Sequence, residues 1–239
     1  MKKKSQILYG RHILKEAVAA NIPILTIWVE TKSAYDFAVE LLGSKYPKIQ
    51  FEEGIPPKFK NEVHQGVVFQ TTYSFYLPYS IEQARKFDFV ILCNHLENIQ
   101  NLGSIARCAA AFGASLIIHE NKRSASMTMA AVKSSAGCAF KLNFMEVDEI
   151  SSVAELLRKS GYLVAGLDAG KNSIPLYDWQ PRKPIALVLG SESDGIEEIV
   201  RVQCSELIRI PMENNVESLN VSHAASIVMS WVKKFSKKS

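Results

Sequence analysis

The chain has 239 residues, 47% of them hydrophobic, and a formal charge of +4. This suits a globular α/β protein of one larger and one smaller unit. It excludes a membrane spanner, because no apolar run approaches ~20 residues, and it does not by itself demonstrate nucleic-acid binding. The start, MKKKSQILYG, turns polar too soon for a secretory signal, so a cytoplasmic location is expected.

Lys2, Lys3 and Lys4 open the chain, and Lys233, Lys234, Lys237 and Lys238 close it. Such ends either graze RNA phosphates or are simply solvated. Cys93, Cys108, Cys138 and Cys204 form no Cys-x-x-Cys pair, and no His stands at zinc-ligand spacing. They read as reduced thiols, and no metal is expected.

In chain order, Ser5 to Ala20 predicts a helix with Ile13, Leu14, Ala17 and Val18 on one face. Leu25 to Glu30 predicts a strand, Lys32 to Leu42 a helix, and Ile49 to Glu52 and Gly66 to Thr71 two further strands. These make a small α/β domain over 1–72. The aromatic, polar TYSFYLPYS stretch has neither period, which places a linker at 73–85. A second domain over 86–239 opens with FDFVILCN, apolar throughout like a strand buried on both faces. Helices at Leu102 to Phe112, Met127 to Ala136 and Asp148 to Ser160 alternate with the strands SLIIHE, LNFMEV and YLVAGLD. IALVLG and ELIRIP add two strands, and a last helix runs from Asn220 to about Phe235. Such alternation predicts a parallel sheet covered on both faces, with ligands at the carboxyl ends of its strands.

Three stretches carry candidate chemistry. In HLENIQNLGSIAR, Asn101 is placed to cap a helix and Gly103 allows close approach. Arg107 sits among apolar residues and needs an anionic partner or an exit to solvent. In IALVLGSESDGIEEI, Glu192 follows an apolar strand ending in Gly190; it is either a loop carboxylate or a partner for Arg107 or a substrate hydroxyl. Glu197 and Glu198 suit the first turn of a helix. In IPMENNVESLNVS, Ser218 and Asn220 stand at a helix start, where capping alone accounts for them.

Taken together in order and spacing, NLGSIAR, LVLGSE and IPM…ESLNVS resemble the signature motifs of the SpoU (TrmH-like) family of RNA ribose 2′-O-methyltransferases, over about residues 87–235. YGRHILKEAV and VHQGVVF are similar to the substrate-binding domain of its RlmB-like subgroup, which acts on a guanosine of 23S ribosomal RNA. The resemblance implies a C-terminal trefoil-knotted, SPOUT-type domain, a small N-terminal RNA-binding domain, a homodimer, and S-adenosylmethionine as methyl donor. It implies catalytic roles for Asn101, Arg107, Glu192, Ser218 and Asn220. Leu167, Leu189, Gly190, Ile210, Met212, Ser218 and Leu219 would line the donor site. Tyr9, Arg11, His12 and His64 would touch RNA, with Lys58 and Lys60 as further candidates. Arginine keeps its proton to above about pH 12, so Arg107 would hold a phosphate and stabilise the developing oxyanion, with Glu192 fixing it. The RNA would be ribosomal ahead of transfer RNA; a non-catalytic RNA-binding or ribosome-assembly factor is the alternative. A nucleotide-cofactor oxidoreductase is disfavoured, since no G-x-G-x-x-G follows a strand.

The chain departs from the family pattern at Asn98-Ile99, where Asp-Pro is usual, at Ser193-Asp194, where small residues are usual, and at Asn214, where glycine is usual. Asn tolerates positive φ better than other non-glycine residues, so the last loop is expected to keep its shape.

Overall fold

A computed structural model describes residues 5–43 and 50–235. Lys2, Lys3, Lys4, Lys237, Lys238 and the expected strand start at Ile49 lie outside them. The first unit comprises β1 (Gln6–Tyr9), α1 (Arg11–Ala19), β2 (Ile24–Val29), α2 (Lys32–Leu42), β3 (Gln50–Glu53) and β4 (Val67–Thr71). Its sheet runs β1-β4-β2-β3, with β4 antiparallel to both neighbours and β2 parallel to β3. The expected helix over Ser5 to Ala20 is therefore divided. Ile7, Leu8 and Tyr9 pair with Gln70, Phe69 and Val68, and Gly10, at φ +105, turns the chain into α1. The anticipated face of Ile13, Leu14, Ala17 and Val18 is buried. Thr31 caps α2 by accepting from the Ala34 N–H.

Residues 72–80 are not a loose connection. Phe75 is buried and stacks on Phe140 with ring centroids 5.3 Å apart. The Leu77 N–H donates to the Phe144 carbonyl at 2.8 Å, and the Phe144 N–H to the Phe75 carbonyl at 3.1 Å. The stretch thus covers the edge of the second sheet, and its aromatic composition is the reason. A short α3 (Ile81–Ala84) leads on.

The second sheet has seven strands, all parallel. They are β5 (Phe89–Cys93), β6 (Leu116–Glu120), β7 (Asn143–Val147), β8 (Leu163–Leu167), the two-residue β9 (Ile174–Pro175), β10 (Ile185–Leu189) and β11 (Glu206–Arg209). Their order is β7-β6-β5-β10-β8-β11-β9. Between them run α4 (Ile99–Phe112), α5 (Met129–Ser134), α6 (Ile150–Lys159) and α7 (Glu198–Arg201); α8 (Val221–Phe235) closes the fold. Every residue of β5, β6 and β10 is buried, as continuous apolar runs require. One face packs Ile91 and Leu187 against Leu102, Ile105, Ala225 and Val228, in a cluster continuous with the core of the first sheet. The other packs Leu92 and Val188 against Ala154, Leu157 and Val200.

The helix after β5 begins three residues before the expected Leu102. Its cap is Asn98, whose side chain accepts from the Gln100 N–H at 2.8 Å and the Asn101 N–H at 3.3 Å. Asn101 is thus inside the helix and is not its cap. Gly103 lets α5 cross α4 closely: a Cβ there would lie 2.4 Å from Ser134 Cβ and 2.6 Å from the Ala131 carbonyl oxygen. Gly103→Ala is expected to cost about 2–3 kcal/mol, measurable as a lower urea midpoint at unchanged slope.

His119 is fully buried. Its Nδ1 lies 2.8 Å from the Glu120 carbonyl and its Nε2 2.9 Å from the Tyr76 hydroxyl. Burial lowers its pKa from 6.5. The native state then binds fewer protons than the unfolded chain, so this contribution is present above pH 6.5 and is lost as pH falls below it. Denaturant midpoints should fall on acidification through that value, and less steeply in His119→Gln.

Candidate active site

At the carboxyl ends of β8, β10 and β11 the loops enclose a cavity of about 460 Å³. Its walls are Leu167 to Gly170, Gly190 to Gly195, Arg209, Ile210, Met212, and Ser218 to Val221 with Ala224. Gly190 is required by its neighbours: a Cβ would lie 2.1 Å from the Gly195 carbonyl carbon and 2.4 Å from the Ile196 nitrogen. The turn folds back because the Ser191 N–H donates to the Gly195 carbonyl at 2.9 Å and the Asp194 N–H to Ser191 Oγ at 3.0 Å. Ser193 and Asp194 therefore sit in a closed, internally bonded turn. Asn214 has φ 56, so it adopts the left-handed conformation expected where glycine is usual, as does Asn215 at φ 57.

A polar chain crosses the site. Asn101 Nδ2 donates to Glu192 Oε1 at 2.6 Å, and Asn220 Nδ2 donates to Asn101 Oδ1 at 3.1 Å. Asn220 Oδ1 accepts from the Ser222 N–H at 2.9 Å and from Ser222 Oγ at 2.7 Å, which caps α8. Helix α4, the turn after β10 and the start of α8 are joined through Asn101, whose side chain is nearly all inside. Glu192, Ser218 and Asn220 line the cavity.

Two expected members fall elsewhere. Leu189 is fully buried within β10 and does not line the cavity; strand alternation turns it into the core beside Leu187. Arg107 is exposed and off the cavity wall. At 100° per residue it stands about 120° around α4 from Asn101. Glu192 accordingly holds Asn101 rather than the guanidinium. Among the lining residues that sequence reasoning missed are two charged ones, Asp168 and Arg209. Asp168 ends the apolar run YLVAGL, and a carboxylate at the carboxyl end of a buried strand was the available signal. Arg209, from β11, donates through Nε to the Ser173 carbonyl at 3.2 Å.

The N-terminal candidates are mostly engaged within the protein. Tyr9 is buried, its hydroxyl bonded to Glu62 and its ring 4.2 Å from Lys133 Nζ. Burial first, and Glu62 second, push its pKa up to about 12. His64 is also buried and accepts the Gly66 N–H at 3.0 Å. As placed, neither is a surface contact for RNA, because turn and core packing consume them. Arg11 donates to the Gln65 carbonyl at 3.1 Å and to Ser33 Oγ at 3.2 Å, while His12 Nε2 meets the Ala136 carbonyl at 3.1 Å. Lys58 and Lys60 are exposed.

Among the described residues, one group has metal-ligand character: ligand atoms of His95, Glu120 and Glu197 lie within 4.8 Å of one another. Each ring nitrogen faces a different carboxylate, Nδ1 at 3.1 Å from Glu120 and Nε2 at 3.1 Å from Glu197. The ring lies between the two carboxylates, and its buried Nδ1 makes no hydrogen bond. The cluster ties the ends of β5 and β6 to the start of α7.

A parallel sheet with a glycine-tight cavity of nucleotide-cofactor size at its carboxyl edge defines an α/β protein built around a cofactor pocket. The model of the SpoU rRNA methylase family matches residues 88–230. The chain belongs to that family and is a SpoU/TrmH-like RNA methyltransferase. A Staphylococcus haemolyticus protein named as a TrmH family tRNA/rRNA methyltransferase is 31% identical over 237 residues, with 93% of each chain covered. A tRNA/rRNA methyltransferase of Mycolicibacterium paratuberculosis is 29% identical, over 96% of this chain and 77% of its own. The SpoU methyltransferase AviRb of Streptomyces viridochromogenes, solved with AdoMet, superposes at TM-score 0.79 and 23% identity, covering 98% of this chain and 91% of its own. An rRNA methyltransferase from Sinorhizobium meliloti gives TM-score 0.77 at 20% identity, covering 98% and 88%. Among the described residues, no helix is long and apolar enough to cross a membrane.

Proposed function

We propose that this protein methylates a ribose 2′-hydroxyl of RNA with S-adenosylmethionine, and that a guanosine of 23S ribosomal RNA is the leading target. The observation that carries this reading is the chain Glu192–Asn101–Asn220, which brings three separate motifs to one cofactor-sized cavity. The cavity suits the donor in size and wall chemistry, with Gly190 allowing backbone approach and Leu167, Ile210, Met212 and Leu219 supplying apolar surface. The donor supplies a methyl group on a sulfonium: the carbon–oxygen bond forms as the carbon–sulfur bond breaks, and the hydroxyl proton is released. Ser218 and Asn220 face the cavity and orient the ribose; Asn101 acts one step back, because its amide already holds Glu192 and Asn220. Positioning supplies much of the rate in such a transfer.

Arg107 stands free of side-chain partners among the described residues and off its own chain's cavity, so in this reading it takes the RNA phosphate and stabilises the oxyanion across the expected homodimer. Near the far end of its helix an apolar groove of Phe112, Leu176, Tyr177, Ile227 and Trp231 lies between α4 and α8. It supports the expected homodimer. The trefoil knot belongs to the same reading, with the C-terminal segment threading a loop to form the donor pocket. So does the division into 1–72, 73–85 and 86–239, the first part selecting the RNA. Mapping ribose methylation across total RNA from cells with and without this protein tests the target. Loss of one methylation in 23S RNA is expected; loss in tRNA alone would reassign it, and an unchanged map would contradict enzymatic function.

A further inference from the structure

We infer that Arg201 is a positioning residue for the donor cavity, acting through Asp168; this rests on the donor reading above. Asp168 is in the cavity wall, at the carboxyl end of β8. Its Oδ2 accepts from Ser173 Oγ at 2.7 Å and from the Gly170 N–H at 3.1 Å. Its Oδ1 accepts from Arg201 Nη1 at 3.0 Å. Residues 168–173 are thus wound around their own first carboxylate, so closely that a Cβ on Gly170 would lie 2.7 Å from Oδ2. Arg209 holds the far end of the same loop through the Ser173 carbonyl.

Arg201 does not line the cavity. It is the last residue of α7, the helix that continues from the turn 191–195 forming the opposite wall. Strands β8 and β10 are paired in the sheet, and this guanidinium–carboxylate bond adds a side-chain tie between the loops that follow them and form the two walls. The Asp168 carboxylate is mostly buried and Arg201 about one-third exposed, so the bond is shielded on the side that matters. Without Arg201, the loop 168–173 loses its side-chain tie to the opposite wall and the carboxylate loses its cation.

The two consequences separate in one titration. S-adenosylmethionine carries a sulfonium charge, and S-adenosylhomocysteine, with a neutral sulfur, does not. If Arg201 sets geometry, both ligands weaken alike; if it only balances charge, the cationic ligand gains relative to the neutral one. Calorimetric titration of the full chain is expected to show Arg201→Met raising both dissociation constants about tenfold, as loss of a charge-assisted bond implies, and by the same factor. Ser173→Ala, which removes the other side-chain donor to Asp168 but keeps Arg201, should weaken both in the same direction by less. Its thermal midpoint and that of Arg201→Met should stay near the parent's, since a partly exposed pair adds little to global stability. Parent-like affinity in Arg201→Met would overturn the inference, as would a selective loss of the neutral ligand. A parent that binds neither ligand would overturn the donor reading, and the inference with it.

Discussion

A Gly190→Ala variant is expected to bind S-adenosylmethionine about a hundredfold more weakly than the parent, a loss of about 2.7 kcal/mol. The added methyl meets the Gly195 carbonyl carbon at 2.1 Å and its oxygen at 2.2 Å. Both obstacles are backbone, so no side-chain rotation relieves the contact. Relief requires the turn 191–195 to move, and that turn is a wall of the cavity. It also carries Glu192, so the bond to Asn101 is stretched at the same time. Equilibrium titration with the donor checks this; parent-like affinity would show that the turn lies outside the donor site.

The second large effect is expected at Arg107. Arg107→Ala should lower turnover by about 10²–10³-fold, the range for loss of a charge-stabilising donor. Donor affinity should be unchanged, since the side chain is exposed and off the cavity wall. Arg107→Lys should recover little, because an ammonium lacks the planar fork that holds a phosphate and an oxyanion together. Single-turnover rates with saturating donor, beside donor titrations, separate the two quantities. A lysine variant with near-parental turnover would show that charge alone suffices and that the assigned role is wrong.

Most of the second sheet was legible in the sequence. β5 and β10 are buried on both faces, and unbroken apolar runs announce such strands. The first strand was not legible: Ile7, Leu8 and Tyr9 adjoin a true helical face, and only the pairing with β4 and the positive φ of Gly10 divide them. Residues 72–80 eluded periodicity because their order comes from aromatic contacts with distant Phe140 and Phe144.

For the site, motif positions placed Glu192, Ser218 and Asn220 on one cavity. They could not give the wiring. That Glu192 pairs with Asn101, and not Arg107, follows from helix phase once Asn98 fixes where α4 begins. Tyr9 and His64 look like RNA contacts by residue type, but partners more than fifty residues away, or a tight turn, bury them. Asp168 was missed because its partner, Arg201, is distant in sequence and outside every motif.

The proposed reaction is methyl transfer to a ribose oxygen. To test it, the purified protein is incubated with unmodified 23S ribosomal RNA and S-adenosylmethionine labelled in the methyl group, and the RNA is digested to nucleosides. The label is expected in 2′-O-methylguanosine at one position. Label on a nucleobase, or none in any RNA offered, would contradict it.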